Sequence, residues 1–384
     1  MLLVSLLYSV YLSQKILVRI NKDYATTDMD IWSQSETTAD VFTQVKALKN
    51  IPYKVLDTKV EERARFERQR LSMKKKLITT ESFFDDFRNL KDILGWYDGL
   101  KTEFPGYVCK VVYGKSVQNR DLIAYHFTMN NNKPKKQMLM MSLIHSREWL
   151  SAPVVAYTVY NMLTENKAML DTLELVVIPV VNPDGYVYTW ESNRYWRKNM
   201  GANGKGVDLN RNFDIHFDDK GGASTNPSSD AYKGPFAFSE PETMHLKNYY
   251  AGLKTVVGAL DVHCFSQLIL RPLGYGGNTI HEEQMKALGD GIAKEIYKVD
   301  KQQYRSMKII DLYKTTGSSI DYFYEQKKMI DNKSTSPYAM AYELRPQQRG
   351  GDFVVKPSLI APTSLEILKG NLFFFRQILD HPLQ

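Results

Sequence analysis

Beyond residue 82 the chain alternates between two apolar periods, and no other feature narrows its fold so far. Helical spacing runs over 84–104, 151–163, 240–253, 281–299, 319–327 and 362–379. Between these lie short strand-like runs over 108–112, 121–128, 138–143, 173–181, 255–262 and 339–344. Strands separated by helices need crossover connections. The expected architecture is therefore α/β: a mixed, mostly parallel twisted sheet flanked by helices on both faces. With 384 residues, of which 43% are hydrophobic, the chain can fill one large core and a smaller one.

The apolar run 138–143 leads directly into His145-Ser146-Arg147-Glu148-Trp149. A strand ending there turns His145 and Glu148 toward one point, and an imidazole nitrogen with a carboxylate oxygen suits zinc. A third ligand must come from elsewhere, and Asp261-Val262-His263, after the apolar stretch 255–260, offers one. Alone, such a His/Glu pair is weak evidence, because on a helix it is usually a solvated ion pair. His145, His263 and Glu343 all fall at the carboxyl ends of expected strands, where open α/β sheets place their ligand sites.

Further motifs follow in order: Asn193-Arg194-Tyr195-Trp196-Arg197-Lys198, Gly206-Val207-Asp208-Leu209-Asn210-Arg211-Asn212-Phe213, His263-Cys264-Phe265-Ser266-Gln267 and Tyr342-Glu343-Leu344-Arg345. Together with His145 to Trp149, they resemble the zinc metallocarboxypeptidases of the pancreatic A and B type, from about Ser82 onward. The resemblance implies one Zn2+ per chain held by His145, Glu148 and His263, with Asp208 fixing the ring of His145. It implies Glu343 as the catalytic base, Asn210 and Arg211 as the clamp for a peptide's terminal carboxylate, and Tyr313 as a mobile cover. Arg147 would contact a substrate carbonyl. Leu270, Gly274, Leu312, Thr315, Ser318, Ile320 and Ala341 would line the terminal side-chain pocket. An isoleucine at 320 implies aliphatic or aromatic terminal residues, whereas Lys308 nearby would shift preference toward acidic or polar ones. The resemblance also implies cis peptides at Cys264–Phe265, Pro272–Leu273 and Arg345–Pro346.

One position breaks the pattern. Where the family places an oxyanion-stabilising arginine two residues past Trp-Arg-Lys, this chain has Met200, which carries no charge and donates no hydrogen bond. The alternative to an exopeptidase of reduced activity is thus a zinc-binding pseudoenzyme that holds peptide C-termini or a partner without efficient cleavage.

The N-terminal part reads as a separate unit. Residues 1–13 form a short apolar run expected as a signal peptide, 14–80 an abbreviated α+β pro-segment with a basic linker helix from Glu61, and 81–384 the catalytic domain. Ile31-Trp32 matches that pro-segment, whose first strand and helix are expected to be shortened. Residues 1–80 hold 14 Lys/Arg against 9 Asp/Glu, so most of the net +7 sits there. The run Arg63 to Lys76 reads as an exposed linker, cut by a trypsin-like protease at Arg70 or Lys74 to Lys76, rather than as a nucleic-acid patch. Cys109 and Cys264 are expected as free thiols, and no segment is long enough to cross a membrane. The expected protein is a secreted monomer acting on peptide C-termini, with Asn332-Lys333-Ser334 as a glycosylation signal.

Overall fold

β1 (Lys15–Asn21) buries Ile16, Leu17, Val18 and Ile20, and a backbone buried with them needs hydrogen-bond partners along both edges. It has them. With β2 (Ile31–Gln34), β3 (Thr38–Gln44) and β4 (Tyr53–Asp57) it forms a sheet in the order β2–β3–β1–β4, followed by helix α1 (Val60–Ser72). The computed structural model describes residues 12–72, 79–80, 82–131, 133–201, 204–330, 333–347 and 352–383. The signal-peptide run up to residue 11, the cleavage residues Lys74 to Lys76 and Asn332 of the glycosylation signal lie outside the described residues.

The two faces of this small sheet do different things, as a period of two dictates. Ile16, Val18, Ile20 and Val41 make a core of their own with Val45 and Leu48. Leu17, Trp32 and Phe42 instead join the main core of the molecule. The expectation of a shortened first strand is corrected here: β1 is a seven-residue central strand. Between β3 and β4 the chain makes only a 3-10 turn over Val45–Leu48, so the helices are the reduced part.

The rest of the chain alternates as expected. In order come α2 (Leu90–Glu103), β5 (Val108–Lys115), β6 (Asp121–Phe127), β7 (Lys136–Ser142), α3 (Ser151–Thr164), β8 (Leu173–Ile178) and α4 (Pro183–Glu191). Then follow α5 (Pro241–Gly252), β9 (Val256–Ser266), β10 (Leu268–Arg271), α6 (Glu282–Asp300), β11 (Arg305–Lys308), α7 (Ile309–Leu312) and α8 (Ser319–Glu325). A two-stranded ribbon of β12 (Lys328–Ile330) and β13 (Lys333–Thr335) precedes β14 (Tyr338–Gln347) and α9 (Ile360–Asp380). The helix expected over 84–104 is split: α2 starts only after Asn89, whose side chain accepts a hydrogen bond from the Asp92 N–H at 3.0 Å.

Among the described residues, eight strands form one mixed sheet in the order β11–β10–β14–β9–β7–β8–β6–β5. The central pairs β7·β8, β7·β9 and β9·β14 are parallel, while β5·β6, β6·β8 and β10·β14 are antiparallel. Helix α9 packs against both α3 and α6, and α5 lies against β5. No helix among the described residues is long and apolar enough to cross a membrane.

The sheet positions the chemistry. Parallel pairing sets Glu343 on β14 opposite His263 on β9, and Ser142 at the end of β7 opposite Val262. His145 does stand just past the end of its strand, but His263 and Glu343 lie inside strands that run on to Ser266 and Gln347. That corrects the placement of both at strand ends. The bonds Cys264–Phe265, Pro272–Leu273 and Arg345–Pro346 are all cis, and both cysteines are free, Cys264 being buried.

Candidate metal centre and cleft

Two turn residues past β7, His145 and Glu148 meet His263 from β9, all three buried. Their potential ligand atoms lie within 4.8 Å of one another. His145 Nδ1 is 2.9 Å from Glu148 Oε1, His263 Nδ1 is 3.0 Å from Glu148 Oε2, and the two Nδ1 atoms are 3.1 Å apart. Two imidazole nitrogens and a carboxylate that converge on one point need protons or a cation between their lone pairs, and this donor set suits zinc. The residues fit the metal that the sequence implies.

Burial disfavours charge on Glu148, yet the imidazoles of His145 and His263 outweigh it and hold the carboxyl well below the usual range. Burial likewise opposes the charged form of His263, but the charges of Asp261 and Glu148 hold it well above the ordinary histidine value. Asp208 stands behind His145, its Oδ1 3.2 Å from Nε2. Burial is again outweighed there, first by Arg197 and then by His145 and Arg211, so the carboxyl stays well below its ordinary value.

A cavity of about 380 Å³ opens beside this cluster, lined by Arg147, Glu148, Arg197, Arg211, Tyr313 and Glu343 among others. The Arg211 guanidinium lies 6.0 Å from the centre of the Tyr313 ring and 4.0 Å from Asp208. Asn210 does not line the cavity; its Oδ1 accepts the backbone N–H of Ser319 at 2.8 Å, which ties it to the start of α8. Ile320 is buried on α8 and also stays off the cavity wall. Nearby, a Cβ on Gly274 would meet Ile309, Asp321 and Thr315 at about 3 Å, so these walls already touch across the glycine. Lys308 turns its Nζ to the side chain of Asn278 at 2.9 Å. Burial pushes Glu343 up to about 8, against the pull of His263 and with added repulsion from Glu148.

Asp261 and the wall formed by residues 22–34 were not assigned from the sequence, whereas Arg197 was expected as a partial substitute for the missing oxyanion arginine. Arg197, rather than Met200, lines the cavity, and Asp208 Oδ2 holds its Nε and Nη2 at 3.1 and 2.9 Å. Asp261 lies behind His263; its place two residues before that histidine on a strand was legible, but its role was not. Finally, residues 22–34 of the small sheet form one wall of the cavity. Arg147 lines the cavity but its guanidinium is already engaged: Nη1 lies 2.9 Å from Asp30 and 3.3 Å from Asp230. Trp32 stacks on Tyr195 at 5.2 Å between centroids, and buried Glu67 on α1 pairs with Arg194 at 2.6 Å.

The zinc carboxypeptidase family model matches residues 93–370. The chain is 32% identical over 338 residues to a protein of Anopheles gambiae named zinc carboxypeptidase A 1, covering 85% of this chain and 75% of that one. It is 30% identical over 328 residues to a protein of Talaromyces marneffei named as an inactive metallocarboxypeptidase, covering 76% of this chain and 54% of that one. The crystal structure of carboxypeptidase A from Helicoverpa armigera superposes with a TM-score of 0.84 at 26% identity, covering 96% of this chain and 98% of that one.

Proposed function

This chain belongs to the zinc carboxypeptidase family, and from that we propose that it is a secreted, monomeric exopeptidase that hydrolyses the last peptide bond of peptides and proteins. The observation that carries the reading is the convergence of His145, Glu148 and His263 beside a cavity whose wall also holds Arg211, Tyr313 and Glu343. In it, His145, Glu148 and His263 hold one Zn2+, which when bound supplies Lewis acidity and acidifies water. Arg211 pairs with the substrate's terminal carboxylate, the anion that a planar guanidinium binds best, with Asn210 and Tyr313 beside it. Glu343 takes the proton of the attacking water and returns it to the leaving amine. Asp208 keeps the His145 ring in place. Ile320, buried on α8 behind the cavity wall, places no charge there, which favours aliphatic or aromatic terminal residues.

The test is release of single residues by the trypsin-treated protein from peptides that differ only at the last position, followed by mass spectrometry. Loss of C-terminal Phe, Leu or Tyr that a zinc chelator abolishes is expected. Bound zinc at one per chain without release would favour the second reading, a pseudoenzyme that captures C-termini. Met200 supports that alternative, as does a relative named inactive.

Residues 14–80 act, in this reading, as the inhibitory pro-segment of the domain 81–384. Asp30 occupies the guanidinium that a substrate carbonyl would need, and residues 22–34 cover the cleft. Cleavage by a trypsin-like protease falls at Lys74 to Lys76 rather than at Arg70, which is in helix α1 and ion-paired with buried Asp86. Docking is expected to weaken with rising pH. Burial pushes Asp30 up to about 7, with attraction from Arg147 opposed by repulsion from Asp230. In the released segment Asp30 should ionise near 4. Its contribution to docking is therefore full below about pH 4 and is lost as pH rises through about 7. The nicked segment should bind at least about tenfold more weakly at pH 8 than at pH 5 by calorimetry. An Asp30→Asn segment should show a flatter profile; an equally steep one would rule Asp30 out.

A further inference from the structure

Each metal-facing histidine presents Nδ1 to the common point and turns Nε2 toward a carboxylate. For His145 the partner is Asp208; for His263 it is Asp261, 3.0 Å away as an ion-pair contact rather than a linear hydrogen bond. Asp261 lies two residues earlier on β9, so the strand period puts both side chains on one face. Its carboxylate is fully buried, and Oδ2 accepts a hydrogen bond from Ser319 Oγ at 2.7 Å. Oδ1 has no hydrogen-bond partner among the described residues. A buried carboxylate served by one hydroxyl is costly, and an N–H on the facing imidazole offsets that cost.

We infer that Asp261 is a positioning residue for the metal: it keeps the His263 proton on Nε2, leaves the Nδ1 lone pair aimed at the metal point, and through Ser319 ties this ligand to the start of α8. The inference rests on the metal site proposed above. Ser319 gives its backbone N–H to Asn210, so one connected set of contacts runs from a metal ligand to the residue beside Arg211. Carboxylate partners of this kind orient the ring and raise its basicity, and losing one typically costs about 10–100-fold in metal affinity.

Zinc affinity of the full chain, measured by competition with a chromogenic chelator, tests this directly. Asp261→Asn should bind zinc about 10–100-fold more weakly and alter the visible spectrum of the cobalt-loaded protein, which a merely structural role would leave alone. Affinity within twofold of the unmutated chain with an identical cobalt spectrum would overturn the inference. Nitrogen-15 spectra of the unmutated, zinc-loaded protein need no variant to fold: His263 protonated at Nε2 is expected, and His263 bound through Nε2 would also overturn it. An unmutated chain that takes up no zinc would instead sink the metal reading on which this one stands.

Discussion

Replacing Glu343 by glutamine is expected to lower kcat by about two to four orders of magnitude while zinc stays bound at one per chain. The amide has the shape of the carboxyl but cannot carry a proton from water to the leaving amine. Glu343 is suited to that shuttle because it sits opposite His263 across the β9·β14 pair and burial raises it to about 8. A group near neutrality both accepts and returns a proton readily. Zinc content by metal analysis separates loss of the base from loss of the site. Turnover within tenfold of the unmutated protein would remove Glu343 from the mechanism.

Arg197→Met is the second large expected effect, because Arg197 and not Met200 lines the cavity. An oxyanion donor contributes roughly 3–4 kcal/mol, so removing that guanidinium should lower kcat about 100- to 1000-fold with little change in KM. The Arg197 side chain lies 3.8 Å from Glu148, and its two hydrogen bonds to Asp208 hold it beside the histidine cluster. Steady-state kinetics on one good substrate decide. Turnover of the Arg197→Met protein within tenfold of the unmutated one would remove Arg197 from this role, and no turnover in either would favour the binding protein over the enzyme.

Much of this was legible in the chain. The alternation beyond residue 82 reported a mixed sheet with flanking helices because burial imposes periods of 3.6 and 2 on local sequence. His145 and Glu148 were readable as a pair because three residues and one turn bring them together whatever the rest does. Local patterns also misled: the apolar run at 84 looked continuous with α2, although Asn89 caps a separate helix. β1 was expected to be shortened, but it runs for seven residues, because its pairing partners β3 and β4 lie 17 and more residues onward.

What the sequence determined by itself was residue chemistry and local period: which side chains can bind a metal, move a proton or pair with a carboxylate, and which segments bury a face. Only the tertiary structure decided adjacency. His263 stands 118 residues from His145, and their meeting depends on β9 lying between β7 and β14. Likewise, Asp261 acquires a partner in Ser319, and Asp30 reaches Arg147, only through packing between distant segments. Local sequence restricts backbone conformation within a few residues, whereas strand order and docking are settled by the burial of whole faces, which no single segment specifies.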